Sequence, residues 1–151
     1  LVMAETLDLA GMEEALANGC SHIFVAEDDC IFTPDAIGVT DYLAATLGTY
    51  SWIHFGGSRS CYAEGVRDCA THREVARVLN THAYVIDRTL MSGYVEALEA
   101  DPFPKSEVLH ADRLILHLCR KLSLRISIPP KPLAVQDKAL PNDVQWGLPR
   151  R

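Results

Sequence analysis

His22-Ile23-Phe24-Val25-Ala26-Glu27-Asp28-Asp29 is the stretch on which the reading of this chain turns. Its first part is a short apolar run with β-branched and aromatic side chains. Such a run suits a strand buried on both faces, as in a parallel sheet. The three acids that follow end the strand abruptly. Upstream, residues 3–18 read as a helix, with Met3, Leu7, Ala10, Ala15 and Leu16 roughly on one stripe and Gly19 placed to stop it. Downstream, Thr33-Pro34-Asp35 reads as a helix start. Thr33 caps the free N–H groups, Pro34 fits the first helical position and Asp35 favours the positive end of the dipole. Ala36, Val39, Leu43 and Leu47 continue that helix, and Gly48 closes it.

Trp52-Ile53-His54-Phe55 reads as the next strand, ended by Gly56-Gly57. Residues 57–76 show little periodicity and carry Arg59, Arg67, Arg73, Cys61 and Cys69. An irregular stretch of that length is more often a lid or binding loop than a plain connector. His82–Ile86 is a third short strand. A helix over Thr89–Ala100 follows, with Leu90, Tyr94 and Leu98 on one face. His110–Leu122 is an amphipathic helix with Ala111, Leu114, Ile115, Leu118 and Leu122 inward. Leu124–Ile128 is a strand and Leu133–Val135 is extended. Strands alternating with helices predict an α/β fold with a mostly parallel sheet, in one domain over residues 1–151, of which 136–151 form an irregular tail.

The chain has 151 residues, enough to bury roughly 68–70% of its unfolded surface. Apolar residues at 48% and charged residues at 23% exclude a disordered or collagen-like chain. No apolar run approaches the ~18–20 residues of a membrane span. Fourteen basic against twenty acidic side chains leave a net charge of −6, which disfavours nucleic acid as a partner. The five cysteines, with no C-x-x-C, argue against a disulfide framework or zinc ribbon; Cys61 and Cys69 are one conceivable pair, but reduced thiols and a cytoplasmic setting are expected. Leu1-Val2-Met3-Ala4-Glu5 has no basic n-region of a secretory signal, and its leading Leu is expected of a piece of a longer reading frame.

Three consecutive carboxylates after a buried strand repel one another and raise each other's pKa. A hard divalent cation, Mn²⁺ or Mg²⁺, removes that cost and also binds substrate phosphates. Alternation along an extended backbone puts Glu27 and Asp29 on one side and Asp28 on the other. The expected division is Asp29 on the metal, Asp28 assisting from the turn, and Glu27 on metal or nucleotide. Ligands of open α/β sheets gather where these residues sit, at the carboxyl ends of strands. A solvated acidic turn explains the same residues, and spacing alone does not separate the two.

Phe24-Val25-Ala26-Glu27-Asp28-Asp29-Cys30-Ile31-Phe32 resembles the "(I/L)-x-x-E-D-D-x-x-(F/L)" segment of glycosyltransferase family 25, the lipooligosaccharide-type galactosyltransferases related to collagen galactosyltransferases. Glu14–Gly19 is similar to the helix leading into that segment, and Trp52–Gly56 to the next strand. Thr81–Ile86 resembles an "x-H-A-Y-(L/V)-I" strand, Asp112 an "x-V-D" helix start, and Pro132–Gln136 with Asn142–Val144 the closing "P-x-x-x-Q…S-D-I". Together these cover most of residues 10–146. The family's opening "N-L-x-x-x-x-x-R" strand, which grips base and ribose, has no counterpart here.

The resemblance implies a GT-A, Rossmann-like fold truncated at its N-terminus. It implies transfer of a sugar, usually galactose from UDP-galactose, to a saccharide or other hydroxyl with inversion, in lipopolysaccharide biosynthesis. Asp112 is the candidate for the base or for holding the acceptor, although an acid in a first helical turn is already worth about 0.3–1 kcal/mol through the dipole. His82 reads as a core histidine or an acceptor-site group, and Gln136 as approaching metal or acceptor or simply ending a strand. Gly56 and Gly57 let the backbone approach the donor or make a turn. Arg59, Arg67 and Arg73 are weaker phosphate candidates, and His110 and His117 share a helix face with nothing else metal-like. A sheet lacking strands beside the acidic strand exposes an apolar edge, which favours a homodimer. The alternative to an enzyme is a non-catalytic sugar- or partner-binding module without the donor half. A metal-dependent phosphotransferase is a third reading, with no nucleophile placed for it.

Overall fold

The computed structural model describes residues 9–27, 29–34, 38–56, 66–78, 82–100 and 111–137. Four helices and eight strands appear among them: α1 (Leu9–Ala17), β1 (His22–Ala26), β2 (Cys30–Phe32), α2 (Val39–Thr46), β3 (Trp52–His54), β4 (Arg67–Asp68), β5 (Arg73–Val75), β6 (Ala83–Asp87), α3 (Arg88–Glu99), α4 (Ala111–Lys121), β7 (Ile126–Ile128) and β8 (Ala134–Gln136). Six strands form one sheet in the order β1-β6-β3-β7-β5-β4, and β2 pairs β8 in a second, two-stranded sheet.

The α/β class holds, but the main sheet is mixed rather than mostly parallel. Only β3 and β7 pair in parallel among the described strands; β1–β6, β3–β6, β5–β7 and β4–β5 are antiparallel. A parallel neighbour requires a crossover, usually a helix. Between β3 and β6 the described chain makes the β4–β5 hairpin instead, so β6 enters the sheet reversed. β1, β3 and β7 then run one way with β6 inverted between the first two. The carboxyl ends of β1 and β3 and the amino end of β6 meet at one edge.

Alternation across the strands splits the core into two layers. Val25, Trp52, Tyr84, Ile86, Ile126 and Ile128 pack with α1, α3 and α4. Ile53, Phe55, Ala83, Val85, Leu133 and Ala134 pack with Tyr42 of α2 and with Tyr50. The central strands are buried on both faces, as the apolar runs predict. β1 is the exception: at the edge of the sheet, only Val25 of its five residues is buried.

The stripes of α1 and α2 shift from their expected positions, whereas α3 buries Leu90 and Tyr94, and α4 buries Leu114, Ile115 and Leu118, as expected. In α1 the buried residues are Gly11, Met12 and Ala15 while Ala10 is exposed; Met3 and Leu7 lie outside the described residues. In α2 they are Tyr42 and Thr46, and Leu47 is exposed. The Thr33 hydroxyl donates to Pro132 O at 2.9 Å and Thr33 N continues the β2–β8 ladder to Leu133 O at 2.9 Å; the N–H groups it is expected to cap, at residues 35–37, lie outside the described residues, and α2 itself opens at Gly38. α3 begins at an Asp87 cap, whose side chain accepts from Leu90 N at 2.9 Å. In α4, Leu114, Ile115, Leu116, Leu118 and Cys119 are buried, and Leu122 just beyond it is exposed. Gln136, expected to open an irregular tail, instead ends β8 because it pairs with Cys30; beyond it only Asp137 is among the described residues.

Cys20, Cys30, Cys69 and Cys119 are free thiols, and Cys61 lies outside the described residues. Burial pushes the Cys119 thiol from 9.0 to about 12, with a smaller push from Asp87, and burial lifts the Tyr94 phenol from 10.0 to about 12. Both groups hold their protons more tightly folded than unfolded. Their stabilising contribution is complete below pH 9 and disappears as pH rises toward 12. At about 1.4 kcal/mol per pK unit, Cys119 alone contributes about 4 kcal/mol. Urea midpoints followed by far-ultraviolet circular dichroism are therefore expected to fall steeply between pH 9 and pH 11, and Cys119→Ala to flatten that fall.

Candidate metal centre

The edge where β1 ends and β6 begins gathers most of the described candidate residues. The β1–β6 register runs from His22 opposite Asp87 to Ala26 opposite Ala83. Glu27 N donates to His82 O at 2.8 Å and carries that ladder one residue further. Glu27 and His82 are thus cross-strand partners, with side chains on the same side of the pair. His82 Nδ1 stands 3.3 Å from Glu27 Oε2, and the two side chains are 12% and 34% exposed.

Asp29 reaches the same point from the small sheet. Cys30 N donates to Glu27 O at 3.1 Å, closing a turn after β1. Asp137 N donates to Asp29 O at 2.7 Å, and Gln136 Nε2 donates to Asp29 Oδ2 at 2.6 Å. Glu27, Asp29 and His82 each offer one ligand atom, and these atoms lie within 4.8 Å of one another. Asp29 Oδ1 is closed off from solvent and has no hydrogen-bond partner among the described residues. A shielded carboxylate oxygen without a partner is costly, and a cation is a natural way to satisfy it.

Gly56 joins the two sheets. Leu133 N and Ala134 N donate to Phe55 O at 2.7 and 3.1 Å. A Cβ on Gly56 would stand 1.9 Å from Ala134 O, so only glycine permits this approach. The close contact holds β8, and with it Gln136, against the end of β3. His54, fully buried in β3, accepts from Gly56 N through Nδ1 at 3.0 Å. Gly56 is therefore a packing residue of the sheet junction.

The carboxylates are felt by their neighbours. Burial, then Asp29 and Glu27, push the Cys30 thiol up to about 11, so it stays protonated at neutral pH. The buried Tyr84 phenol is raised well above 10, first by desolvation and then by Tyr94, Glu27 and Asp112. Asp112 lies in the first turn of α4, half-buried, with Oδ1 accepting from Arg113 N at 2.8 Å.

Glu27, Asp29, His82 and Gln136 therefore converge, and Asp112 is not among the residues of that cluster. Asp28 and Gly57 fall outside the described residues, as do Arg59 and His110. Arg73 pairs with Asp68 at 2.7 Å within the β4–β5 hairpin, and His117 is exposed. A groove between α3 and α4, lined by Arg88, Glu96, His117 and Lys121 among others, shares no residue with the cluster. Sequence reasoning missed His82 as a member of the donor set. No local signal carries it: only the reversed pairing of the two apolar strands brings the residue after one opposite the residue before the other. Comparison with protein-family models and with curated proteins gave no match.

Proposed function

We propose that this chain carries the cation and leaving-group site of a metal-dependent glycosyltransferase that moves a sugar, galactose by resemblance, from a UDP-sugar to a hydroxyl acceptor with inversion. The observation that supports it best is the convergence of Glu27, Asp29 and His82 at the end of β1, with Asp29 Oδ1 shielded and unpartnered among the described residues. The family-25-like order of motifs adds the reaction class. The donor set fits Mn²⁺ or Mg²⁺ through its carboxylates, and a bound cation supplies charge neutralisation for the departing nucleoside diphosphate.

The chain's own residues divide the remaining work. Gln136 fixes the Asp29 carboxylate through Oδ2, which leaves Oδ1 directed elsewhere. Glu27 is held in place by its backbone bond to His82. Asp112 accepts the proton of the acceptor hydroxyl as its oxygen bonds to the anomeric carbon and the bond to the diphosphate breaks. The approach from the face opposite the leaving group inverts the centre.

Isothermal calorimetry of UDP with the full chain tests this reading. UDP is expected to bind in Mn²⁺ and to lose at least tenfold in affinity when the cation is chelated. No UDP binding with or without Mn²⁺ overturns the enzyme reading in favour of a non-catalytic module.

A further inference from the structure

Away from the cation cluster, four side chains meet at the turn of the β4–β5 hairpin. Tyr50 comes just ahead of β3, His72 and Glu74 from the hairpin, and Arg125 just ahead of β7. We propose that they form an acid-released latch: neutral His72 holds the hairpin turn on the buried Tyr50 hydroxyl, and protonation of the imidazole frees it.

The bonding follows from a single phenol proton. Arg125 Nη2 can only donate, and does so to the Tyr50 hydroxyl oxygen at 3.2 Å and to Glu74 Oε2 at 2.8 Å. The Tyr50 proton then has two acceptors, His72 Nε2 at 2.8 Å and Glu74 Oε2 at 3.4 Å. The shorter contact takes it, which places the His72 proton on Nδ1, facing Thr71 Oγ1 at 3.1 Å. Tyr50 is 3% exposed, and its ring meets that of His72 edge to face with centroids 5.0 Å apart. Cys69 N donates to His72 O at 2.9 Å, so the ring and the turn move together.

Charging His72 removes the acceptor. Nε2 then carries a proton, the phenol must send its own to Glu74 over the longer contact, and the imidazolium shares Tyr50 with the Arg125 guanidinium, which lies 4.5 Å over that ring. The other charges around the turn are already engaged. Glu74 accepts twice from Arg125 and stands opposite Arg67 in the β4–β5 register, Arg73 pairs with Asp68, and the Cys69 thiol acts on Tyr50 and Arg125. Burial, then Arg125, hold the imidazole below its ordinary 6.5 against a smaller pull from Glu74. A lifted turn returns His72 to that ordinary value. The latch is therefore complete above pH 6.5 and is lost as pH falls through the lower value of the seated ring. Glu74, held below 4.5 chiefly by its bond from Arg125, adds a separate loss only under pH 4.5.

Amide hydrogen exchange of the full chain, read residue by residue as protection factors, tests the latch. Between pH 7.5 and pH 5 the Cys69 amide is expected to lose protection by at least about threefold, while the Phe55 amide, bonded to Ala83 O in the main sheet, changes by less than about 1.5-fold. His72→Gln keeps a partner for the Tyr50 hydroxyl but does not titrate, and is expected to abolish the pH dependence at Cys69. Tyr50→Phe is expected to leave Cys69 at its acid level of protection at both pH values. Nitrogen-15 shifts of the unaltered chain are expected to show His72 Nε2 without a proton at pH 7.5, and with His72→Gln they decide the matter if Tyr50→Phe does not fold. A Cys69 protection factor that ignores pH, an equal fall in His72→Gln, or a protonated Nε2 at pH 7.5 overturns the proposal.

Discussion

Asp29→Asn is expected to weaken Mn²⁺ binding at least 100-fold while raising the stability of the cation-free chain by about 1 kcal/mol. The two effects have one cause. Asp29 brings a negative charge into a turn beside Glu27, and its Oδ1 has neither solvent nor a hydrogen-bond partner among the described residues. Asparagine keeps an oxygen for Gln136 Nε2, whose 2.6 Å bond holds the small sheet in place. It removes the charge, and a neutral group without a partner costs less than an ionised one. A ligand residue of this kind is a place where stability is given up for function. Urea unfolding without cation should show a higher midpoint at unchanged slope. In Mn²⁺ at 100 times its dissociation constant the order should reverse, because the unaltered chain alone gains about 2.7 kcal/mol from binding. A variant that is less stable without cation and binds Mn²⁺ normally would make Asp29 a structural residue.

Much of this site follows from short sequence signals, and the remainder from pairing. The apolar runs before Glu27 and after His82 are both legible as strands, but only the second is buried on both faces; the first becomes the edge strand, with Val25 alone buried. Their relative direction is not written in either run. It depends on what the chain does between β3 and β6, where Arg67–Asp68 and Arg73–Val75 form a hairpin too short and polar to show a period. β2 was hidden for a related reason: Cys30-Ile31-Phe32 sits between an acidic turn and an apparent helix cap, and becomes a strand only because β8 returns beside it. Thr33 N extends the same ladder by one more bond, to Leu133 O. The local motifs therefore name the candidate residues, while the register of two nonlocal strand pairs brings Glu27 to His82 and Asp29 to Gln136.

Gly56→Ala is expected to cost about 3 kcal/mol or more, and to remove cation binding from whatever fraction remains folded. The added Cβ would stand 1.9 Å from Ala134 O and 2.9 Å from its carbonyl carbon, so the collision is with backbone and no side-chain rotation relieves it. Overpacking of a tight interior typically costs about 1–3 kcal/mol, and a backbone collision lies at or beyond the upper end. Relief requires β8 to move off the end of β3. That lengthens the bonds from Leu133 N and Ala134 N to Phe55 O and withdraws Gln136 from Asp29. Stability and cation affinity should thus fall together, although Gly56 offers no ligand atom of its own. Gly19→Ala supplies the contrast. Gly19 has φ +72° with nothing within 4 Å of its would-be Cβ, so alanine there meets backbone strain but no neighbour. It should cost only about 1 kcal/mol and leave Mn²⁺ affinity unchanged. Equal losses in the two variants, or normal Mn²⁺ binding by a destabilised Gly56→Ala chain, would show that the junction does not position the site.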